Sequence, residues 1–292
     1  MTVISGKNGL VNDIPCVRTW SIETSTDLAE SITSATKGSR ARDEGVTDWK
    51  GTFTTHGDAA SRVPGVPPVL PGESFEFIGV VGGEAPTQTG VTCPENGAIV
   101  DSIDMSIDVE GGGIVEYTVN FSGNSVLTLD ATDLDVADAT VPQPLSGKNC
   151  KVQLATVTGD PADVDDVRTI SMTITADNQE YASSSTGGAK RRVSGNVDLN
   201  FSFSVYTDDF SSLPGVNDVR RVLLFVDATH SWDIEWGIFS GQSDLQVDRE
   251  GGTPVGATCN GSFTGFTYVT DTPMLGYIKT PADGAPTYWP PE

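Results

Sequence analysis

Side chains that commonly perform acid–base or nucleophilic catalysis are scarce in this chain of 292 residues. It has two histidines, His56 and His230. It contains no GxSxG elbow, no Walker A loop, no HExxH motif and no GxGxxG after a predicted strand. Asp and Glu are so frequent that some pair will stand at glycosidase spacing by chance. We therefore expect no enzymatic activity and no catalytic residue.

Metal-binding patterns are equally incomplete. The acidic runs 133–138 and 163–166 have carboxylates like half of a calcium loop, but both lack its glycine and terminal glutamate. The cysteines form no CxxC pair, which argues against a zinc site. Without an evident secretion signal, we expect buried free thiols rather than disulfides, and we expect no cofactor or metal. The four cysteines are Cys16, Cys93, Cys150 and Cys259.

The charge balance limits the possible partners. Forty acidic residues face 17 Lys and Arg, for a net charge of −23. Nucleic-acid binding requires a basic surface, so we expect this chain to repel DNA rather than bind it. No segment approaches the ~20 apolar residues of a membrane span. The N-terminus, MTVISGKNGL, has no apolar signal core, so neither a membrane partner nor secretion is expected.

Six of the 17 basic residues fall in two polar segments, 25–46 and 175–195. Cations concentrated in matched segments of an acidic protein suggest contacts with an acidic surface of a neighbouring subunit. The alternative is a solvated loop with incidental charge, since exposed ion pairs are worth only ~0–1 kcal/mol. The predicted inter-subunit contacts are Lys37, Arg40, Arg42, Lys190, Arg191 and Arg192.

A set of acidic residues is also repeated. The segment DMSIDVEGG at 104–112 returns as DLQVDREGG at 244–252. In an alternating strand these acids would point away from the apolar face. They are either the solvated side of a sheet or the lining of a shared channel, where carboxylates would repel a polyanion. The residues are Asp104, Asp108, Glu110, Asp244, Asp248 and Glu250.

The elements that position these residues occur twice. Residues 17–66 align without a gap with residues 167–216, and 18 of the 50 positions are identical. SGKN also recurs at 5–8 and 146–149. A duplication of this length predicts two similar domains, at 1–140 and 141–270, followed by a Pro-rich tail at 271–292. His56 aligns with Tyr206, which favours a structural role for this histidine.

Period-two alternation predicts a mainly β fold with half-buried antiparallel sheets. Ile103, Met105 and Ile107 alternate with Ser and Asp, and a second strand, 117–121, follows a glycine turn. Helix is scarce, with candidates at 27–35 and 216–224. Segments 25–46 and 175–195 are otherwise predicted to be long loops.

Short motifs follow one another in the first copy. GKNG at 6–9 precedes the strand VRTWSIE at 17–23, and a long loop leads to KGSRARDEGVTDWKGTF at 37–53. The last segment has the pattern Gly-x-x-Asp-Trp-x-Gly-x-Phe. In these motifs and their order the first copy resembles the major tail tube proteins of long-tailed bacteriophages. The second copy keeps three of these positions and has Leu199 and Phe201 at the other two. The matching residues are Gly45, Asp48, Trp49, Gly51 and Phe53, and then Gly195, Asp198 and Phe203.

The resemblance implies two β-sandwich or barrel domains of the tail tube type, and three chains forming a pseudo-hexameric ring that stacks into a tube. Inner hairpins at 103–121 and 245–266 would face a lumen through which genomic DNA passes unbound. Its partners would be copies of itself, the tape measure, the tail terminator and baseplate or distal tail proteins. The protein would assemble in the bacterial cytoplasm and reside in the virion tail.

Two other functions remain open from the sequence. A carbohydrate-binding or adhesive β-sandwich module, such as a virion decoration protein, would present tryptophans for sugar stacking. Candidates are Trp232, Trp236 and Trp289, which lie outside the 17–66 and 167–216 repeat. A depolymerising tail enzyme with an Asp/Glu pair is a third possibility without a specific motif.

Overall fold

A computed structural model describes residues 11, 14, 17–31, 41–57, 69–83, 85–136, 144–156, 159–182, 189–207, 210–227, 230–246, 255–263 and 275–279. The described chain is mainly β, with antiparallel strands throughout the named pairings and two short 3-10 turns at Gly147–Asn149 and Phe210–Ser212. It contains no α-helix, and therefore none of the described helices is long and apolar enough to cross a membrane.

Most of the strands belong to one sheet of 13 strands. Its hydrogen-bonded order is β1-β2-β7-β6-β11-β14-β17-β16-β15-β9-β10, with β3 beside β6 and β18 beside β16. These strands are β1 (Val17–Ser31), β2 (Ala41–His56), β3 (Ser74–Phe75), β6 (Ala98–Asp108), β7 (Glu116–Gly123), β9 (Val152–Ala155), β10 (Ala162–Asp163), β11 (Val167–Ala176), β14 (Val197–Tyr206), β15 (Val219–Phe225), β16 (His230–Gln246), β17 (Gly256–Phe263) and β18 (Leu275–Lys279).

Two smaller sheets lie beside the large one. A three-stranded sheet has the order β4-β5-β8, formed by β4 (Ile78–Gly82), β5 (Gln88–Thr92) and β8 (Thr128–Leu134). A two-stranded sheet pairs β12 (Gln179–Tyr181) with β13 (Arg191–Val193). The three-stranded sheet belongs to the first half of the chain, and the two-stranded one to the second.

The sequence repeat is also a repeat of strand pairing. Val17 faces Thr55 in the β1–β2 pair, and Val167 faces Val205 in the β11–β14 pair, so both partners are displaced by 150 positions. The same one-residue register shift follows each pair. Further along, Lys50 faces Ser122 in β2–β7, and Asn200 faces Ser262 in β14–β17. The sheet thus contains a four-stranded unit twice, first β1-β2-β7-β6 and then β11-β14-β17-β16.

The two units are joined edge to edge. Strand β6 of the first unit pairs with β11 of the second, from Ser102 opposite Thr175 to Asp108 opposite Thr169. On the buried face, Met105 lies opposite Met172, between two Ile–Ile pairs. This junction has both a backbone ladder and apolar side-chain pairs, which together stabilise neighbouring strands.

Both halves contribute to one core. Strand β16 pairs through its first half with β15 and through its second half with β17. Trp232, in the first half of β16, is 1% exposed, and its Nε1 donates a hydrogen bond to the hydroxyl of Tyr117 on β7 at 3.3 Å. Four strands separate β7 from β16 in the sheet order. The sheet therefore bends back on itself to bring these two residues together.

The two helix predictions are wrong. Residues 27–31 continue β1, where Ser31 pairs with Ala41, and the rest of that candidate lies outside the described residues. Residues 219–224 form β15, hydrogen-bonded to β9 on one side and β16 on the other. A strand buried in this way has a continuous apolar run, which a search for alternation does not detect.

Both predicted long loops contain strands. In the first half, β1 and β2 continue as a hairpin up to Ser31 and Ala41. In the second half, strand β11 ends at Ala176, and the separate β12–β13 hairpin follows. The predicted tandem domains, with boundaries at 140 and 270, stay a prediction.

A core substitution tests the assignment of the two sheet faces. Phe53 on β2 is 0% exposed, and its ring centroid lies 5.9 Å from that of Phe121. Phe53→Ala should lower the free energy of unfolding by about 3–5 kcal/mol, because it leaves a cavity. Thr54→Ala, on the opposite face, should cost less than about 1 kcal/mol. Urea unfolding measures both, and equal losses would contradict the assignment.

Candidate assembly interface

The predicted acidic residues of the first half lie on the polar face of the sheet. In β6, Ile103, Met105 and Ile107 are buried, whereas Asp104 is half-buried and Asp108 is exposed. The carboxylate of Asp104 accepts hydrogen bonds from Thr173 Oγ1 at 2.7 Å and from Asn120 Nδ2 at 3.4 Å. These donors belong to the strands on either side, so Asp104 connects the first unit to the second.

Asp108 shapes the turn that follows β6. Its Oδ1 accepts a hydrogen bond from the backbone N–H of Gly111 at 2.8 Å. A Cβ atom on Gly111 would lie 2.2 Å from Oδ2 of Asp108 and would displace this carboxylate, and Gly112 has a φ of +64°, a conformation that favours glycine. The repetition of Asp and Gly in DVEGG and DREGG is therefore explained in the first copy by turn geometry.

Glu110 forms an ion pair between the two halves. It accepts hydrogen bonds from Arg168 Nε at 2.9 Å and from the Tyr206 hydroxyl at 3.0 Å. These two hydrogen bonds, chiefly that of Arg168, lower the pKa of the Glu110 carboxyl. The Arg168 guanidinium also lies 4.2 Å from the centroid of the Tyr206 ring. Glu110 comes from the first half, and both of its partners come from the second.

A second ion pair between the halves is buried. Arg192 on β13 has a side chain that is 3% exposed, and its Nη2 lies 2.9 Å from both carboxylate oxygens of Asp48 on β2. Its Nη1 donates to the carbonyl oxygen of Gly123. Lys190 Nζ lies 2.8 Å from Glu180 and 3.5 Å from Asp48. The basic segment of the second half therefore lies on the first half.

Backbone groups extend this contact. The Lys190 N–H donates to the Thr47 carbonyl at 3.1 Å, and the Arg192 N–H donates to Asn124 Oδ1 at 2.6 Å. The Arg191 side chain donates to the carbonyl of Asn124. The three predicted residues Lys190, Arg191 and Arg192 thus act together, and apart from Glu180 their partners are residues of the first half. We call this contact, made by β13 on Asp48, Gly123 and Asn124, the strap.

The remaining predicted site residues are not described at the side-chain level. Lys37, Arg40, Asp248 and Glu250 lie outside the described residues. For Arg42 and Asp244 the structure gives only the backbone, with Arg42 in β2 opposite Glu30 and Asp244 in β16. The predicted inner hairpin at 103–121 is present as β6–β7, and the one at 245–266 is described only in part, by β16 and β17.

Sequence reasoning identified the basic residues but missed their acidic partner, Asp48. It also missed Arg168, the partner of Glu110. The signal was available in the repeat, because Asp48, Arg192 and Glu180 are identical to the residues 150 positions away, as is Arg168. Apart from Glu110, which lies outside the 17–66 and 167–216 alignment, the members of both ion pairs are thus among the residues that the duplication has kept.

Other residues that could act as acids, bases or metal ligands contact neighbouring side chains where they are described. His56 lies 3.8 Å from Glu116, and burial together with the neighbouring Arg18 lowers its pKa. The described residues contain no group of three or more His, Cys, Asp or Glu placed to hold a metal ion. Asp163 is instead bonded to Lys151 at 2.9 Å.

The cysteine prediction is confirmed for the three described residues. Cys93, Cys150 and Cys259 are buried free thiols. Burial raises their pKa, to about 11 for Cys93 and Cys259 and about 12 for Cys150, so they are protonated at neutral pH. Cys16 lies outside the described residues.

Trp232, proposed above for sugar stacking, is buried and hydrogen-bonded to Tyr117, so it is not available on the surface. The side chain of Trp236 and all of Trp289 lie outside the described part. Compared with known protein families and with curated proteins, the chain has no match.

The strap generates a stability prediction. Asp48→Asn keeps an oxygen for the Trp49 N–H, which now donates to Asp48 Oδ1 at 2.9 Å, but it removes the charge beside the buried Arg192. We expect a loss of about 3 kcal/mol in unfolding free energy, since the buried Arg192 loses its closest charged partner and keeps only Glu180 at 3.7 Å. Asp163→Asn breaks an exposed pair and should cost ~0–1 kcal/mol. Similar losses in denaturant titrations would mean that the strap contributes no more than a surface contact.

Proposed function

We propose that this chain is a structural subunit that associates head to tail with copies of itself into closed rings of three chains. The observation that supports this proposal is the β6–β11 junction, where one four-stranded unit already pairs with another. The two ends of the array of units are the counterparts of those two strands, so the same pairing is available between chains.

One end of the array is β1, the counterpart of β11. It is the terminal strand of the sheet and pairs with β2 along one side. The other end is the segment 240–246 of β16, the counterpart of β6. There β17 pairs along one side, and β15, which pairs along the other, stops at Ile238. Among the described residues no further strand continues beyond it on that side.

The internal junction fixes the register expected between chains. Ser106 lies opposite Ser171, so Gln246 of one copy would lie opposite Ser21 of the next. Met105 lies opposite Met172, so Leu245 would lie opposite Ile22, which again pairs two apolar residues. Edge strands left open are a liability for uncontrolled aggregation. Closing a ring by head-to-tail contacts removes both edges.

The polar face suits a passage for DNA. Its strands present mainly hydroxyl and amide side chains together with carboxylates, as at Ser106, Thr118, Asn120 and Ser202. On this side Arg18 and Arg168 are paired with Glu116 and Glu110, and Lys50 lies opposite Glu23 in the β1–β2 pair. A surface on which acidic residues accompany the cations has little to hold phosphates, so a polyanion would slide past it.

The proposal therefore combines the sheet geometry with the tail tube resemblance. Stacked rings of three chains, with six units each, would form the tube of a bacteriophage tail, with tandem tube-type domains as subunits. Asp104, Asp108, Glu110 and their counterparts Asp244, Asp248 and Glu250 would face the lumen. Tape measure, terminator and distal tail proteins would be its partners, and the virion tail its location.

Negative-stain microscopy combined with disulfide trapping tests this proposal. In a Cys16→Ser background, Ser21→Cys with Gln246→Cys should link chains under mild oxidation, because directly opposed strand positions meet disulfide distances. We expect dimers and closed trimers on non-reducing gels, and rings or striated tubes in micrographs.

A control variant on the same face tests this register. Ser243 lies opposite Thr258 and Gln246 opposite Gly256, so both are on the polar face. Ser21→Cys with Ser243→Cys places the second thiol three positions away, about 10 Å along the strand, and should not cross-link. Equal cross-linking of both variants would reject the register. Monodisperse protein without cross-links at every concentration would reject head-to-tail association.

A further inference from the structure

The strap joins two repeats, and its ion pair is present twice in the sequence. Asp48 and Arg192, with Glu180 opposite Arg192, have identical counterparts at Asp198, Arg42 and Glu30, whereas Gly123 and Asn124 are not repeated. Within the described chain one set is assembled, with Arg192 of the second half on Asp48 of the first. The second set comprises an acid in the second half, Asp198, and a cation in the first half, Arg42.

Asp198 has the same local conformation as Asp48 but a different environment. In both residues Oδ1 accepts a hydrogen bond from the following backbone N–H at 2.9 Å. The Asp48 side chain is covered by the strap and is 11% exposed, whereas Asp198 is exposed. Among the described residues Asp198 has no ion pair. It is an uncovered copy of a site that is covered in the first half.

Arg42 occupies the matching place on its own hairpin. It lies opposite Glu30 in the β1–β2 pair, as Arg192 lies opposite Glu180 in the β12–β13 pair. The register of the two hairpins is thus the same at the residues that form the strap. A second basic residue also stands two positions before each of these arginines, Arg40 in the first half and Lys190 in the second.

The direction of the strap indicates where Arg42 would go. From β11, the hairpin that bears Arg192 passes the preceding strands β6 and β7 to reach Asp48 on β2. The corresponding direction from β1 leads off the end of the sheet, away from Asp198 on β14 of the same chain. Only a neighbouring copy placed beside β1 brings an Asp198 to that side.

We infer that Asp198 of one copy is the binding site for Arg42 of the next copy. This inference rests on the proposed head-to-tail association and adds the charged contact that selects the partner. The ion pair would be that of the internal strap, with the Arg42 guanidinium covering the Asp198 carboxylate. Because a charge buried without its partner is costly, the pair penalises any neighbour that fails to supply the cation.

Charge reversal in the full-length protein tests the inference. Arg42→Asp and Asp198→Arg each place like charges in the contact, and each should raise the concentration needed for half-maximal ring assembly by about 30-fold or more. The double variant Arg42→Asp/Asp198→Arg restores an opposite pair at every contact and should assemble near the wild-type concentration. Sedimentation and micrographs measure assembly, and thermal unfolding of the monomers checks that the variants fold.

Mixing the two single variants separates contacts between chains from contacts within a chain. The aspartate introduced at position 42 of one variant would meet the arginine introduced at position 198 of the other. The unchanged residues at these two positions would also match, so mixed dimers should form. Alternation cannot close a ring of three, so rings of that size would contain one mismatched contact and should stay rare. Asp130→Arg makes the same charge change on β8, outside the four-stranded units, and should assemble normally.

The outcomes distinguish this inference from the function on which it rests. If wild-type protein forms rings and both single variants form them at the same concentration, the Arg42–Asp198 contact is rejected and the proposed function stands. If wild-type protein forms no rings and the Ser21→Cys/Gln246→Cys variant forms no disulfide-linked chains, both are rejected. Failure of the double variant to recover, with folded monomers, also overturns the pairing.

Discussion

The structure depends on a backbone ladder between two strands of different origin, β6 of the first unit and β11 of the second. Along Ser102–Asp108 the hydrogen bonds of one repeat are completed by the other. Unpaired strand groups must find partners in protein or water, so each unit terminates in an edge that another unit satisfies. The shared core, which contains Tyr117 and Trp232, follows from this union.

The two ion pairs across this boundary have different roles. Arg168 and Glu110 meet in solvent, where screening leaves little net stabilisation, although Tyr206 orients both. Arg192 and Asp48 meet in a buried place, where two further carbonyl and amide groups hold the hairpin. A buried pair of this kind contributes more to partner and register selection than to net stability. The buried pair between Arg192 and Asp48 thus holds the two units together, although most charged residues of the protein are acidic.

Much of the fold follows from the sequence, and the site follows from it only in part. Alternation at Ile103, Met105 and Ile107 located β6 and its polar face correctly. The identity between 17–66 and 167–216 predicted repeated elements, and the strand registers repeat at the same offset. Local patterns failed where the partner decides the conformation, as in β15, which lies between two strands. Asp48 was missed because 144 positions separate it from Arg192, and only folding brings them together.

The three-stranded sheet β4-β5-β8 has a counterpart in the second half, where β15, the first half of β16 and β18 pair in the same order. The two halves differ in strand continuity, because β5 and β6 are separate strands whereas β16 runs through both of its pairings without a break. Duplication has therefore preserved the strand order while the continuity of one strand has changed. In an assembly of such chains, successive segments of the wall would share one strand order but alternate in strand continuity. A molecule that distinguishes the two kinds of segment would count chains, whereas one that contacts only their common strand order would count repeats. A single gene product can thereby match neighbours of unlike rotational symmetry.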